Sequence, residues 1–337
     1  DHEGDGRRFY TDGHHVHEFL KELVRDTGIE DMITVGEMSS TSLDNCIRYS
    51  NPEEKELSMC FNFHHLKVDY KNGNKWELMD TDRKELKRLF EEWQIGMQEH
   101  NGWNSLFWCN HDQPRIVSRM GNEGTYWKQS AKMLAAAVHL MRGTPYIYQG
   151  EEIGMPNAHF KDINDYRDVE SLNYYEILLK EGKTKEEAIK TLQERSRDNS
   201  RTPMQWSDEK NAGFSDVIPW ISLPDHYKEI NVENELRDED SIYYFYKKLI
   251  ELRKEKEVIQ EGTIEFFEKD DDDLLAYERN YKEEHLVVFN NLTEKEKEVE
   301  IPQLWTSYHK LIGNYDTENM KENKVVLRPY ETLVLEK

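Results

Sequence analysis

The sequence predicts an α/β domain followed by a smaller antiparallel β-domain. In the first part of the chain, short apolar runs alternate with stretches in which apolar residues recur at helical spacing, which is typical of parallel β/α units. Polar side chains follow directly after those apolar runs. Beyond Val258 the helical spacing is replaced by short β-rich runs separated by turns, which indicates antiparallel strands.

Each predicted strand in the first part of the chain is followed by a polar group. The strands are predicted at residues 32–37, 57–63, 105–109 and 144–148. The groups are Glu37, His64-His65, Asn110-His111-Asp112 and Gln149-Gly150-Glu151. Functional groups at the carboxyl ends of parallel strands are typical of the (β/α)₈ TIM barrel. Because the chain carries only half of the strands that such a barrel needs, we expect it to form half of a barrel.

Amphipathic helices are predicted around these strands. They cover residues 14–25, 82–97, 126–141, 176–194 and 240–256, with a break in the fourth at Gly182. The helix at 82–97 places Leu86, Leu89, Phe90 and Trp93 on one face. Residues from about 150 to 240 form a long polar excursion, so we expect the barrel half to occupy residues 1–259.

The remaining residues, 260–337, are expected to form a small antiparallel β-sandwich. Its strands are predicted at residues 263–267, 274–279, 285–290, 298–301, 324–327 and 332–335. The acidic run at residues 269–273 is interpreted as a solvated hairpin tip.

The amino-acid composition limits the classes of molecule that the protein can bind. A net charge of −23 makes nucleic acid and anionic membranes unfavourable partners. No apolar stretch of the sequence approaches the length of a membrane span. The three cysteines, Cys46, Cys60 and Cys109, are an odd number without paired spacing, which favours reduced thiols and a cytoplasmic protein.

A glutamate and an aspartate at two strand ends form the most informative pattern. Glu37 ends the first strand, and the run at 107–115 brings Asn110, His111 and Asp112 to one place before Pro114 redirects the chain. Carboxyl groups on different barrel strands converge above the barrel mouth, and glycoside hydrolysis requires such a pair. The alternative is two unrelated polar strand ends.

These motifs resemble the alpha-amylase family, glycoside hydrolase family thirteen. Asn110-His111-Asp112 is similar to the family's late catalytic motif, and Val35-Gly36-Glu37 is similar to its general-acid motif on the fifth barrel strand. Residues 143–152 resemble its eighth strand, and residues 196–206 resemble the oligo-1,6-glucosidase-like branch. The motifs occur in the family's order, so the resemblance implies that the chain is the second half of the barrel, strands five to eight.

The resemblance implies a role for each candidate residue. Glu37 would be the catalytic acid and base, and Asp112 would be the second catalytic carboxylate, stabilising the transition state. His111 would bind the same sugar, and Arg197 would close the non-reducing end of the site. Arg115, from the same run as Asp112, is a further candidate substrate contact.

One part of the family's catalytic set is absent from these residues. The family's nucleophile is an aspartate in a Gly-Phe-Arg-x-Asp motif on the fourth strand, and this sequence has no such motif. We therefore expect the nucleophile to lie upstream of Asp1 and the isolated chain to be inactive. The resemblance implies no cofactor, although calcium binding is possible in an early loop of the missing N-terminal half.

The residues after the second strand indicate the substrate class. Oligo-1,6-glucosidases typically carry Glu-His-Met-Asp where this chain has His64-His65-Leu66-Lys67, so two acidic positions have become His64 and Lys67. In an acidic protein, such a local reversal favours a phosphorylated leaving group, which cations bind through charge-assisted hydrogen bonds. The runs at residues 64–70, 37–41 and 46–49 resemble the members of the family that act on phosphorylated trehalose. This resemblance implies hydrolysis of α,α-trehalose 6-phosphate to glucose and glucose 6-phosphate. His64, His65 and Lys67 are therefore candidate substrate contacts. The alternative for Lys67 is a surface lysine paired with Asp69.

Two other functions remain open at this point. One is an exo-α-glucosidase of the oligo-1,6-glucosidase type, whose substrate is an unphosphorylated α-glucoside. The other is a non-catalytic, amylase-like binding domain. The presence of Glu37, His111, Asp112 and Arg197 counts against the non-catalytic alternative. The sequence leaves the oligomeric state open.

Overall fold

The structure is a computed structural model, and it describes residues 6–317 and 319–337, apart from the side chains of Arg7 and Arg8. The helices are α1 (Arg7–Tyr10), α2 (Val16–Thr27), α3 (Leu43–Ser50), α4 (Arg83–Glu99), α5 (Ile116–Met120), α6 (Trp127–His139), α7 (Val169–Lys180), α8 (Lys185–Arg195), α9 (Asp198–Arg201), α10 (Val232–Arg237), α11 (Ile242–Glu255) and α12 (Glu257–Glu261). The strands are β1 (Val35–Met38), β2 (Met59–Asn62), β3 (Asn104–Leu106), β4 (Thr144–Pro145), β5 (Thr263–Phe267), β6 (Leu274–Tyr281), β7 (Glu284–Asn291), β8 (Lys297–Glu300), β9 (His309–Gly313), β10 (Met320–Lys321), β11 (Lys324–Leu327) and β12 (Thr332–Glu336).

The first part of the chain forms a parallel sheet in which spatial order follows chain order. The order is β1-β2-β3-β4, and every neighbouring pair is parallel. The predicted parallel β/α arrangement is therefore confirmed for these strands. Because the strands run in one direction, their carboxyl ends lie at the same edge of the sheet.

Helix α4 shows how the local sequence produces this packing. Asp82 caps its first turn by accepting the backbone N–H of Glu85 at 2.9 Å. Leu86, Phe90 and Trp93 recur at helical spacing and are buried in the main hydrophobic core. Burial of that apolar face against the sheet stabilises the β/α unit.

The polar excursion is held to the domain by a buried aspartate. Helices α7 and α8 separate at Gly182, whose φ of 88° ends the helical conformation as the sequence predicts. Asp198 is fully buried and accepts the backbone N–H groups of Arg167 and Asp168 at 2.7 and 2.9 Å. These bonds fix α9 against the start of α7.

The last part of the chain contains two antiparallel sheets. One has the order β5-β6-β7-β12-β9 and the other has the order β10-β11-β8. Their facing side chains form a separate core, which includes Val287, Phe289 and Trp305. The opposite face of the larger sheet packs on the helices of the first part, and the hydroxyl of Tyr277 donates to the carbonyl oxygen of Ala137 at 3.0 Å.

The acidic run at residues 269–273 differs from the predicted solvated tip. Asp270 and Asp272 are exposed, but Asp271 and Asp273 are both bound by Lys297. Arg83 from α4 also pairs with Asp273 at 2.7 Å. The run therefore links the antiparallel part of the chain to α4.

Two findings concern the thiols and the membrane. Cys46, Cys60 and Cys109 are free thiols, and all three are buried. Within the described ranges, the helices are too short or too polar to cross a membrane.

Candidate active site

The ends of the parallel strands bring the predicted residues to one edge of the sheet. Glu37 is the third residue of β1, its side chain is exposed, and it lies in register with Phe61 of β2. His64 begins a short turn directly after β2, and His111 lies in the loop that follows β3. The sequence predicted this gathering from the polar residues that follow each strand.

A cavity of about 250 Å³ lies at this edge. Its lining is mostly aromatic, and it consists of Glu37, Phe61, Phe63, Phe107, Cys109, Asn110, His111, Tyr146, Ile147 and Tyr148. Phe107 packs edge-on against Phe61 and Phe63, with ring centroids 5.0 and 5.1 Å apart. A carboxyl group beside aromatic faces is suited to a sugar, because the rings stack on its apolar faces while polar groups hold its hydroxyls.

Asp112 adjoins this cavity through His111. The Nε2 atom of His111 lies 3.7 Å from Oδ2 of Asp112, and His111 shares the cavity with Glu37. The backbone N–H of Asp112 donates to Oδ1 of Asn110 at 2.8 Å, which fixes the turn after β3. Glu37 therefore lines the cavity, and Asp112 lies beside His111 of the same lining.

Two arginines of the excursion approach Asp112. Arg197 Nε lies 3.7 Å from Oδ1 of Asp112, so the predicted Arg197 is brought to the site. Arg201 Nη2 lies closer, at 2.6 Å from the same oxygen. The sequence reasoning missed Arg201, although it belongs to the same Ser-Arg-Asp-Asn-Ser-Arg run as Arg197.

Glu170 is a second residue that the sequence reasoning missed. Its Oε2 atom lies 3.1 Å from Nε of Arg197 and 2.9 Å from Nζ of Lys75. Burial lowers the pKa of Lys75, while the hydrogen bond to Glu170 opposes that shift. Glu170 thereby holds two cations beside the candidate site. It stands at the start of α7, where no strand-end pattern points to it.

His64 and Lys67 lie close to the segment that follows Glu37. The Nε2 atom of His64 lies 3.0 Å from the carbonyl oxygen of Thr41, and its ring stacks on Trp93. Lys67 is exposed and donates to the carbonyl oxygen of Ser39 at 2.6 Å. Both side chains therefore face the chain immediately after the candidate acid.

The alternative partner proposed for Lys67 is engaged elsewhere. Asp69 is buried, and its salt bridges within the described ranges are to Arg119 and Arg195. Arg119 Nε donates to Oδ2 of Asp69 at 2.7 Å. Asp69 thus joins the excursion to the loop after β2.

His65 does not lie where a substrate contact requires it, and this prediction is corrected. Its side chain is buried between Phe90, Phe107 and Trp108, and Nε2 lies 2.9 Å from the carbonyl oxygen of Phe107. Burial lowers the pKa of His65 to about 4, because the charged form is poorly solvated there. His65 is therefore a neutral packing residue at pH 7.

Arg115 requires the same correction. It is 1% exposed, and one guanidinium nitrogen donates to the carbonyl oxygen of Gln149. Its guanidinium carbon lies 5.3 Å from the ring centroid of Tyr148. Arg115 thus supports the loop after β4 from behind the cavity wall, where a substrate does not reach it.

The described residues contain no group of three or more His, Cys, Asp and Glu side chains arranged to hold a metal ion. His15 pairs with Glu18 and His17 pairs with Glu56, so these histidines have carboxylate partners.

Comparisons with known proteins find matches over most of the chain. The family model described as "Alpha amylase, catalytic domain" matches residues 1–262, and the model described as "Alpha-amylase SusG C-terminal domain" matches residues 274–334. The trehalose-6-phosphate hydrolase of Bacillus subtilis is 51% identical over 98% of this chain and 60% of its own length. The oligo-1,6-glucosidase of Bacillus cereus is 44% identical over 98% of this chain and 60% of its own length.

A solved structure is also similar over the whole chain. The crystal structure of Bacillus licheniformis trehalose-6-phosphate hydrolase has a TM-score of 0.95 and 55% identity, and the match covers 100% of this chain and 61% of that chain. The chain thus spans about 60% of the length of the curated relatives named above. Since the model of the catalytic domain matches well over half of its residues, the chain belongs to the alpha-amylase family of glycosidases.

Proposed function

We propose that the full-length gene product is a retaining α-glucosidase that hydrolyses α,α-trehalose 6-phosphate to glucose and glucose 6-phosphate. The observation that carries this proposal is the pair of basic side chains, His64 and Lys67, next to the segment that follows Glu37. The identity to two trehalose-6-phosphate hydrolases, 51% and 55%, supports the same substrate.

In the proposed mechanism, Glu37 acts twice. Its protonated carboxyl donates a proton to the glycosidic oxygen while a nucleophilic aspartate attacks the anomeric carbon, which breaks the glycosidic bond and forms a glycosyl ester. The Glu37 carboxylate then removes a proton from water as the water attacks the anomeric carbon and releases the aspartate. The exposed position of Glu37 on the cavity lining supports access to both the leaving group and water.

The other candidates would bind the glucosyl unit. Asp112 would accept hydrogen bonds from sugar hydroxyls and stabilise the oxocarbenium-like transition state. His111, which lines the cavity, would donate to the same sugar, and Arg197 would close its non-reducing end. The proximity of these side chains to one another supports these assignments.

His64 and Lys67 would hold the phosphate of the leaving group. An ammonium group forms charge-assisted hydrogen bonds to phosphate oxygens, and Lys67 is exposed near Ser39, two residues after Glu37. As an imidazolium, His64 would contribute a second donor through Nδ1, since its Nε2 faces the carbonyl oxygen of Thr41. His65 takes no part, because it is buried and neutral.

We further propose that residues 1–259 are the second half of an eight-stranded barrel and that residues 260–337 are a β-sandwich domain. Among the described residues, β1 and β4 each pair with one neighbour, so both outer edges of the parallel sheet are open. Ile33 and Val35 are exposed at the β1 edge, and Phe19 and Leu23 are exposed on α2. Exposed apolar groups beside an open strand edge favour the docking of further β/α units.

Two assays test the proposal. In the full-length gene product, we expect kcat/KM for trehalose 6-phosphate to exceed kcat/KM for isomaltose by at least about a hundredfold. A preference for isomaltose would assign the oligo-1,6-glucosidase activity instead. The purified 337-residue chain alone should show no turnover of either substrate, because it lacks the nucleophile motif. Turnover by that chain would refute the half-barrel proposal.

A further inference from the structure

Arg201 contacts both the side chain and the backbone of the loop after β3. Its Nη2 atom lies 2.6 Å from Oδ1 of Asp112, and its Nε donates to the carbonyl oxygen of His111 at 2.8 Å. A guanidinium group is planar, and its N–H groups have fixed directions. One side chain therefore ties a carboxylate and the preceding carbonyl to the excursion.

Arg201 is itself held in place. Its Nη1 atom lies 3.5 Å from Oδ1 of Asp168, so its two terminal nitrogens have different carboxylate partners. The preceding residue, Ser200, donates through its hydroxyl to the carbonyl oxygen of Gln113 and accepts a hydrogen bond from Tyr148 at 2.8 Å. Helix α9 is therefore docked on the loops after β3 and β4 by several bonds.

The contact also distinguishes the two oxygens of Asp112. Arg201 engages Oδ1, while Oδ2 lies on the side of His111, 3.7 Å from its Nε2. His111 lines the cavity, so Oδ2 is the oxygen that lies beside a cavity residue. The final torsion of an aspartate side chain is soft, so an external donor is needed to keep one oxygen on that side.

We propose that Arg201 is a positioning residue that orients Asp112, holding Oδ1 so that Oδ2 faces the bound sugar. This inference rests on the proposed glycosidase function, but it does not depend on whether the leaving group carries phosphate. A misplaced catalytic group lowers the rate of the chemical step more than it weakens binding of the ground state.

The test uses the full-length gene product and p-nitrophenyl α-glucoside, which lacks phosphate. For Arg201→Met we expect kcat to fall about a hundredfold while KM changes less than about threefold. Arg201→Lys retains the positive charge and a single donor nitrogen. Its kcat should therefore be about tenfold higher than that of Arg201→Met. The control is Arg237→Met, because Arg237 is exposed and pairs with Glu233 on its own helix; it should leave kcat unchanged.

The outcomes separate the inference from the proposed function. A fall in kcat at an unchanged Tm, with partial recovery by lysine, supports positioning. A change in KM alone, or wild-type kcat in Arg201→Met, overturns it. If Arg201→Met does not fold, the changes in kcat, KM and Tm of Arg201→Lys relative to the parent enzyme are judged by the same criteria. A parent enzyme that hydrolyses neither p-nitrophenyl α-glucoside nor trehalose 6-phosphate would instead refute the proposed function.

Discussion

The Nζ atom of Lys87 lies 2.9 Å from the carbonyl oxygen of Glu268, and this contact joins α4 to the turn between β5 and β6. The same ammonium group donates to the carbonyl oxygens of Lys269 and Asp271. Burial lowers the pKa of Lys87, and the neighbouring aspartates oppose that shift. Lys87 thus occupies the centre of the turn that carries the acidic run.

Replacing this lysine should loosen the turn. In Lys87→Met, three carbonyl groups lose their donor, and we expect the free energy of unfolding to fall by about 1–3 kcal/mol. Urea unfolding followed by tryptophan fluorescence measures the change. Lys84→Met is the matched control, because Lys84 is exposed on the same helix. Equal losses in the two variants would contradict the role given to Lys87.

A substitution of Lys67 tests whether this side chain recognises phosphate. In the full-length gene product, Lys67→Glu places a negative charge beside Ser39, so kcat/KM for trehalose 6-phosphate should fall at least about tenfold more than for p-nitrophenyl α-glucoside. Steady-state kinetics with both substrates measures the difference. Lys183→Glu, at an exposed position between α7 and α8, should affect neither. Equal losses for the two substrates would show that Lys67 does not bind phosphate.

A substitution of Glu170 tests whether this carboxylate holds Arg197 in place. Glu170→Gln removes the charge that holds Arg197 and Lys75, so we expect KM for p-nitrophenyl α-glucoside to rise about threefold to tenfold with kcat within about twofold. Glu176→Gln provides the comparison, because Glu176 is exposed on the same helix. A fall in kcat at constant KM would mean that Glu170 acts on the chemical step.

The buried carboxyl of Glu151 should make the stability of the folded protein depend on pH. Burial raises the pKa of its carboxyl from the usual 4.5 to about 8, so the folded state holds a proton that the unfolded state releases as pH rises between these values. The resulting stability is present below the lower value and is lost as pH rises through the higher one. Glu151→Gln removes this dependence.

Thermal unfolding checks this prediction. Relative to the parent, the Tm of Glu151→Gln should increase more at about pH 8.5 than at about pH 5. The backbone N–H of Tyr148, which donates to Glu151 at 2.8 Å, can still reach the amide oxygen of glutamine. A Tm difference that is the same at both pH values would mean that Glu151 is not protonated in the folded state.

Elements with a clear hydrophobic period were predictable from the sequence, but their ends were not. The third strand was predicted to extend to residue 109, whereas β3 is Asn104–Leu106. Phe107 and Cys109 turn away because they line the cavity and the core. Strand β4 is only Thr144–Pro145, since Pro145 has no N–H for the ladder.

The same division applies to the candidate site. Glu37 lies near the carboxyl end of β1 and His111 follows β3, so their approach could be predicted from the direction of the chain. His65 and Arg115 stand in the same runs, but burial depends on which side of the loop faces the core, and the sequence carries no periodicity there. Arg201 contacts Asp112 from 89 residues away, which no local pattern encodes.

The three buried thiols can serve as internal probes of local opening of the folded chain. All three cysteines precede the antiparallel sheets, so a thiol reagent added to the protein reports only on the parallel-sheet part. Cys46 and Cys60 mark α3 and β2, while Cys109 marks the cavity wall. The rate at which each sulfur becomes labelled would measure how often its surroundings expose it, independently of any motion in residues 263–337.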